Sequence, residues 1–146
     1  MPVKPFEFLL NLQKAIPQIE RDLAEIVVKV EAEAFVAKNF REQGFTDNGL
    51  QKWPKRKNNL DPDRALLVKT KTLKEAAKKA RTVGSTVQFV VPLEYASVHN
   101  NGERAGRGAG FQMPQRKWIG ESQYLDKRIE KKSRELLDQK LKDLAS

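Results

Sequence analysis

The chain has a single histidine, His99, inside the stretch "EYASVHNNGERAGRGAGFQMPQRKWIGES". Four glycines follow it, at 102, 106, 108 and 110, with Arg104 and Arg107 between them. An imidazole beside flexible backbone N–H groups and guanidinium groups is material for a catalytic base under a phosphate cradle. Each half of that reading requires more than is present. A hydrolase triad needs a nucleophile and an orienting carboxylate, and the "GESQY" serine, Ser122, lacks the second glycine of a nucleophile elbow. The glycine run lacks the GxxxxGK[ST] spacing and the strand-to-helix setting of a phosphate loop. The residues alone therefore predict His99 as a half-buried histidine at a helix end that Gly102 terminates, and 103–111 as a flexible Gly/Arg-rich loop. No catalytic residue is assigned.

Other chemistry is narrowed by composition. There is no cysteine, which excludes disulfides and thiolate metal sites, and with one histidine a structural zinc site has no ligand set. Asp61 and Asp63 in "LDPDR" would need further converging carboxylates to hold a metal, and a turn at Pro62 explains them. No metal or cofactor is expected. "WPKRK" is a better candidate for contact, because an aromatic beside cations is a common device for stacking nucleic-acid bases. The competing role for Trp53 is to pin its loop to the core.

The net charge of +9 is unevenly placed. Residues 1–50 carry 6 Lys/Arg against 8 Asp/Glu, a net −2; residues 51–120 carry 15 against 5, a net +10; residues 121–146 carry 7 against 6. A basic middle of this kind attracts polyanions or acidic protein surfaces. Lys52, Lys55, Arg56, Lys57, Lys69 and Lys71 are the candidate nucleic-acid contacts. Arg104, Arg107, Arg116, Lys117 and Trp118 are the candidate partner contacts. No run approaches the roughly 20 apolar residues of a membrane span, so a soluble protein without a membrane partner is expected.

The elements that must position these residues are legible in outline. At 146 residues the chain has room for one domain. Ile19, Leu23, Ile26, Val27, Val30, Ala34, Ala37 and Phe40 recur three or four apart, which predicts a helix from Pro17 to about Gly44, roughly 40 Å long. Phe6, Leu9, Leu10 and Leu12 suggest a separate short helix before it. Residues 44–65 read as an ordered loop. "STVQFVVP" alternates as a strand does. The preceding "TLKEAAKKARTVG" is ambiguous between a helix and the first strand of a hairpin. "LEYASVHNNG" predicts a short helix with Tyr95, Val98 and His99 on neighbouring turns. A closing helix follows Gly120, capped by Ser122, with Leu125, Ile129, Leu136, Leu137, Leu141 and Leu144 on its apolar side. The fold class is α+β: long N-terminal and C-terminal helices packed on a small antiparallel sheet.

Several phrases in order resemble the phage virion morphogenesis family, the tail-completion proteins of Mu-like phages and prophages. They are "NFREQGF", "KWPKR", "ALLVKTKTL", "VVPLEYASVHNNG" and "MPQRKWIGES", and the likeness spans roughly residues 35 to 140. The chain departs from the pattern at Thr70–Leu73, where Thr-Gly and then leucine is usual, and at Ala76, where serine is common. The resemblance implies that 73–83 is a strand paired with 86–91. It also implies a non-enzymatic structural role, completing the tail or joining it to the head as a ring-like homo-oligomer in contact with other tail or connector proteins. The implied location is the virion, with assembly in the bacterial host cytoplasm. Transient DNA contact through the basic middle is the alternative from a different class.

Overall fold

The structure is a computed structural model that describes residues 2–56, 65–67, 72–91, 94–106 and 108–146, with the backbone alone for Thr72, Glu94 and Tyr95. It is α+β. Helix α1 (Pro5–Asp22) passes through a π-helical segment (Leu23–Val28) directly into α2 (Lys29–Glu42). A hairpin of β1 (Gly44–Thr46) and β2 (Leu50–Lys52) follows, then α3 (Thr72–Ala77) and the hairpin β3 (Arg81–Val83) with β4 (Thr86–Gln88). Helix α4 (Glu94–Asn101), the hairpin β5 (Arg104–Ala105) with β6 (Phe111–Gln112), and α5 (Gln123–Ala145) complete the order.

The first helix begins at Pro5, so the two expected helices are one continuous rod to Glu42. Pro17 lies inside it rather than at its first turn. A proline in that place removes one backbone donor, and the π-helical stretch begins six residues later, so the rod departs from regular α geometry on its way to the core. Gln43, not Gly44, takes the left-handed position at the C-terminus, with φ 54°. Its amide pays for that backbone: Nε2 donates to the Phe40 carbonyl at 2.8 Å, and Oε1 accepts from Leu66 N.

Three further expectations change. The stretch 44–65 contains the β1–β2 hairpin, with Phe45 opposite Gln51. The implied strand over 73–83 is divided: Leu73, Ala76 and Ala77 follow their helical spacing into α3, and only Arg81–Val83 pairs, with Thr82 opposite Val87. In place of a single small sheet, the described residues form three separate two-stranded antiparallel ribbons. The long helices pack chiefly on each other, α5 lying against α1, the π-helical segment and α2.

The core sits where α2 meets the short elements. Val36, Phe40, Trp53, Leu73, Ala77, Ala96 and Trp118 form one buried cluster. Phe40 meets Trp53 edge-on at 5.5 Å between ring centroids and Trp118 at 6.4 Å. A second aromatic group joins α2 to α5 through Phe35, Phe45 and Tyr124. Ser122 caps α5 as expected, its Oγ accepting from Leu125 N at 3.1 Å while donating to the Thr46 carbonyl at 2.6 Å.

Candidate functional site

The extended segment 113–119 is the part of the chain that gathers the candidate residues. Helix α4 ends at Asn101, and Gly102, with φ 69°, turns the chain away as its N–H bonds the Val98 carbonyl. A Cβ at Gly102 would stand 3.0 Å from Gln115 Cβ, so the glycine also admits the returning strand. That strand is then stitched to the helix end. Arg116 N donates to the His99 carbonyl at 2.8 Å. Asn100 Oδ1 accepts from Trp118 N at 2.9 Å and Ile119 N at 3.1 Å, and the Asn100 carbonyl accepts from Gln115 Nε2 at 3.1 Å.

The other side of the segment is held by α2 and the loop after β2. Asn39, fully buried, donates from Nδ2 to the Trp118 carbonyl at 3.0 Å and accepts from Thr46 N. Trp53 Nε1 donates to the Lys117 carbonyl at 2.8 Å, and Arg116 Nε donates to the Pro54 carbonyl at 3.0 Å. Trp53, Arg116 and Trp118 are consequently 5%, 6% and 4% exposed. The tryptophan of "WPKRK" is thus occupied in the core, its ring against Phe40, and is not offered as a stacking platform.

Burial, and secondarily the Arg56 charge, lower the Arg116 pKa from its ordinary value. Burial, and secondarily Arg116, lower that of His99. Arg116 thus disfavours a proton on the imidazole, the opposite of what an orienting carboxylate does for a triad histidine. Among the described residues no group of three or more His, Asp or Glu side chains converges as a metal site, and Asp61 and Asp63 lie outside them.

The remaining candidates are spread apart. Lys52 Nζ turns back to the Glu42 carbonyl at 2.9 Å, and Lys117 Nζ sits 4.6 Å from the centroid of the Phe45 ring. Lys55 is exposed, and Arg56 donates from Nη2 to the Ala65 carbonyl at 2.8 Å. Arg104 stands on the β5–β6 ribbon, its guanidinium bonded to the Ala109 carbonyl. The ribbon pairs only 104–105 with 111–112, at the two ends of the expected loop, and is largely exposed, Phe111 at 57%. Lys57, Lys69, Lys71, Arg107 and the Tyr95 side chain lie outside the described residues. Asn39 and Asn100, the two amides that hold the site together, were not singled out by spacing. Asn100 was visible only as part of a helix-stop phrase. No protein-family model, curated protein or solved structure matches the chain.

Proposed function

We propose that this chain is a structural protein of phage virion morphogenesis, completing the tail or joining it to the head through ring-like self-association and contacts with other tail or connector proteins. One observation supports the reading most. The two phrases on which the resemblance chiefly rests, "YASVHNNG" and "MPQRKWIG", are a single structural unit, joined by the bonds of His99 and Asn100 to residues 115–119. These bonds join residues fifteen to nineteen apart, which supports reading the two phrases together as one motif. The exposed apolar residues of α1 give self-association a surface to use.

Removing the gene from a producing phage tests the reading: separate heads with defective or unjoined tails are expected, and normal infectious particles would overturn it. The alternative, a nucleic-acid-binding module, is favoured by the +10 charge of residues 51–120. It predicts DNA affinity whose logarithm falls linearly with the logarithm of salt concentration.

A further inference from the structure

The rod formed by α1, the π-helical segment and α2 carries two apolar rows that the fold leaves uncovered. The first is Phe6, Leu9, Leu10 and Ile16 on α1, all exposed. The second is Ile26, Val30 and Ala34, the first two 55% and 53% exposed, and it runs on to the exposed Arg41. These four residues recur four, four and seven apart, the spacing that keeps them on one helical face. Because Ala32, Phe35, Val36 and Phe40 take the core side instead, that face is left exposed. At its Ala34 and Arg41 end it adjoins a cleft of about 250 Å³ between α2 and α5, with Phe35 and Tyr124 stacked in its wall. Charge distinguishes the ends of the rows. Lys38 and Arg128 at the cleft are paired, with Glu42 at 2.8 Å and Glu31 at 3.1 Å. Arg41 acts on Glu42 only at longer range and is in none of the ion pairs among the described residues. Glu7, one turn before Leu10, is in none of them either.

We propose that α1 of one copy packs antiparallel on the face of α2 that carries Val30, Ala34 and Arg41 in a second copy, with Glu7 against Arg41 and Phe6 at the mouth of the cleft. This deepens the self-association proposed above and rests on it for its place in the virion. A second copy is the occupant because the chain itself holds both halves of the contact. One row starts at an unpaired carboxylate and runs toward the C-terminus, and the other starts at an unpaired cation and runs toward the N-terminus, so joining the charges overlays the rows antiparallel. Their lengths agree, since Glu7 to Ile16 and Arg41 back to Val30 span about 14 and 17 Å of helix. A chain cannot make this contact with itself. Val3 N is bonded to the Ala145 carbonyl, about 25 Å along α5 from the cleft at Tyr124 and Arg128. Counted at about 3.6 residues per turn, with the π-helical segment taking up one more, the two rows lie on opposite sides of the rod. A copy that receives on one side therefore offers the other side to the next, the heterologous pattern that closes into a ring.

The absence of cysteine makes the test direct, because single thiols can be placed at will. Gln13 and Ala34, exposed on the two rows, come level in this packing. Full chains carrying Gln13→Cys and Ala34→Cys, mixed and oxidised, should form the mixed disulfide dimer in preference to either self-linked dimer. Both cysteines in one chain should give a ladder of linked multimers. Glu7→Arg added to the first chain, or Arg41→Glu added to the second, should each lower the mixed yield several-fold, and the two together should restore it. All four positions are exposed, so circular dichroism should stay as in the parent. No preference for the mixed dimer, or a yield indifferent to the charge reversals, overturns the proposal. A double-cysteine chain that stops at closed dimers overturns the heterologous pattern. Protection of either thiol from labelling by purified tails, without a link between copies, assigns the row to another tail protein and also overturns it. The gene-removal phenotype is a separate measurement. Unjoined heads and tails without the mixed link would remove this interface and leave the assembly role standing, and the mixed link beside normal particles would do the reverse.

Discussion

The two tryptophans of the core show how much a single polar atom decides. Trp53 and Trp118 are buried alike and both touch Phe40, but Trp53 Nε1 donates to the Lys117 carbonyl whereas Trp118 Nε1 is buried with no acceptor. Phenylalanine at either place loses ring area. At 53 it also leaves the part-buried Lys117 carbonyl without that donor, and at 118 it removes an unpaired donor. Trp53→Phe should therefore be the more destabilising by about 1–2 kcal/mol in urea titrations, and equal losses would refute that accounting. Asn100 offers a sharper contrast because its Oδ1 accepts twice. Asn100→Asp keeps the acceptors, while Asn100→Leu strands the Trp118 and Ile119 N–H groups and should cost about 2–4 kcal/mol. At His99 the pH dependence has a definite sign. Its folded pKa lies below the ordinary 6.5, so as pH falls the unfolded chain takes the proton first. Its contribution is complete above 6.5 and is lost below it, and His99→Gln should flatten that part of a plot of melting temperature against pH.

At the level of elements, what the sequence shows and what it hides divide along a physical line. Periodicity records which face is buried, and so the half-covered face of α5 was legible, as was the Ser122 cap, whereas along the first rod the expected Ile26, Val30 and Ala34 are exposed and Ala32, Phe35, Val36 and Asn39 are buried beside Phe40, the π-helical turn having shifted the face, and on α4 the buried residue is Ala96. Boundaries were also less legible, because a cap is often chosen by a partner distant in sequence. Gln43 ends α2 in the left-handed region, a place where glycine is the usual choice, because its side chain reaches Phe40 and Leu66. Gln43→Gly removes the strain of that φ but also those bonds, and the net change should be destabilising. Pro17 misled for a related reason: in a rod that gains its stability from later packing, one missing donor is tolerated. The alanines of α3 prevailed over the strand that the resemblance implied, since Leu73 and Ala77 enter the core on one helical face. The candidate site was legible as a set of phrases but not as a geometry, because the contacts of Asn39 and Asn100 span 79 and 18 residues. Ser122→Ala tests the best-predicted of these features. Its Oγ serves Leu125 N and the Thr46 carbonyl together, so the loss should exceed an ordinary cap and reach about 2 kcal/mol, read as a lower melting temperature.

For the molecule as a whole, the open question is where a second copy would sit, and the surface is not neutral on it. Helix α5 buries no residue completely and is held by half-covered leucines and by the pairs Lys140–Asp22 and Arg128–Glu31, so the α1–α5 layer is the thinner part of the fold. The same layer leaves Phe6 74%, Leu9 60%, Leu10 41% and Ile16 45% exposed, beside an apolar groove of about 400 Å³ between Val3, Phe8 and Ala145. Apolar residues recurring along one helix at this exposure exceed what a monomer needs. In a ring each such row must meet a different surface on the next copy, which closes the assembly without a two-fold axis. The proposed role therefore predicts that light scattering finds a high-mass species in the parent, alone or with purified tails, and that Phe6→Glu with Leu9→Glu removes it while leaving circular dichroism unchanged. Tails completed by the double variant as well as by the parent would move the self-contact away from α1. The remaining surface to test would then be the β5–β6 ribbon with its exposed Phe111 and Arg104, since it projects from the same α4-to-strand unit that carries the family resemblance.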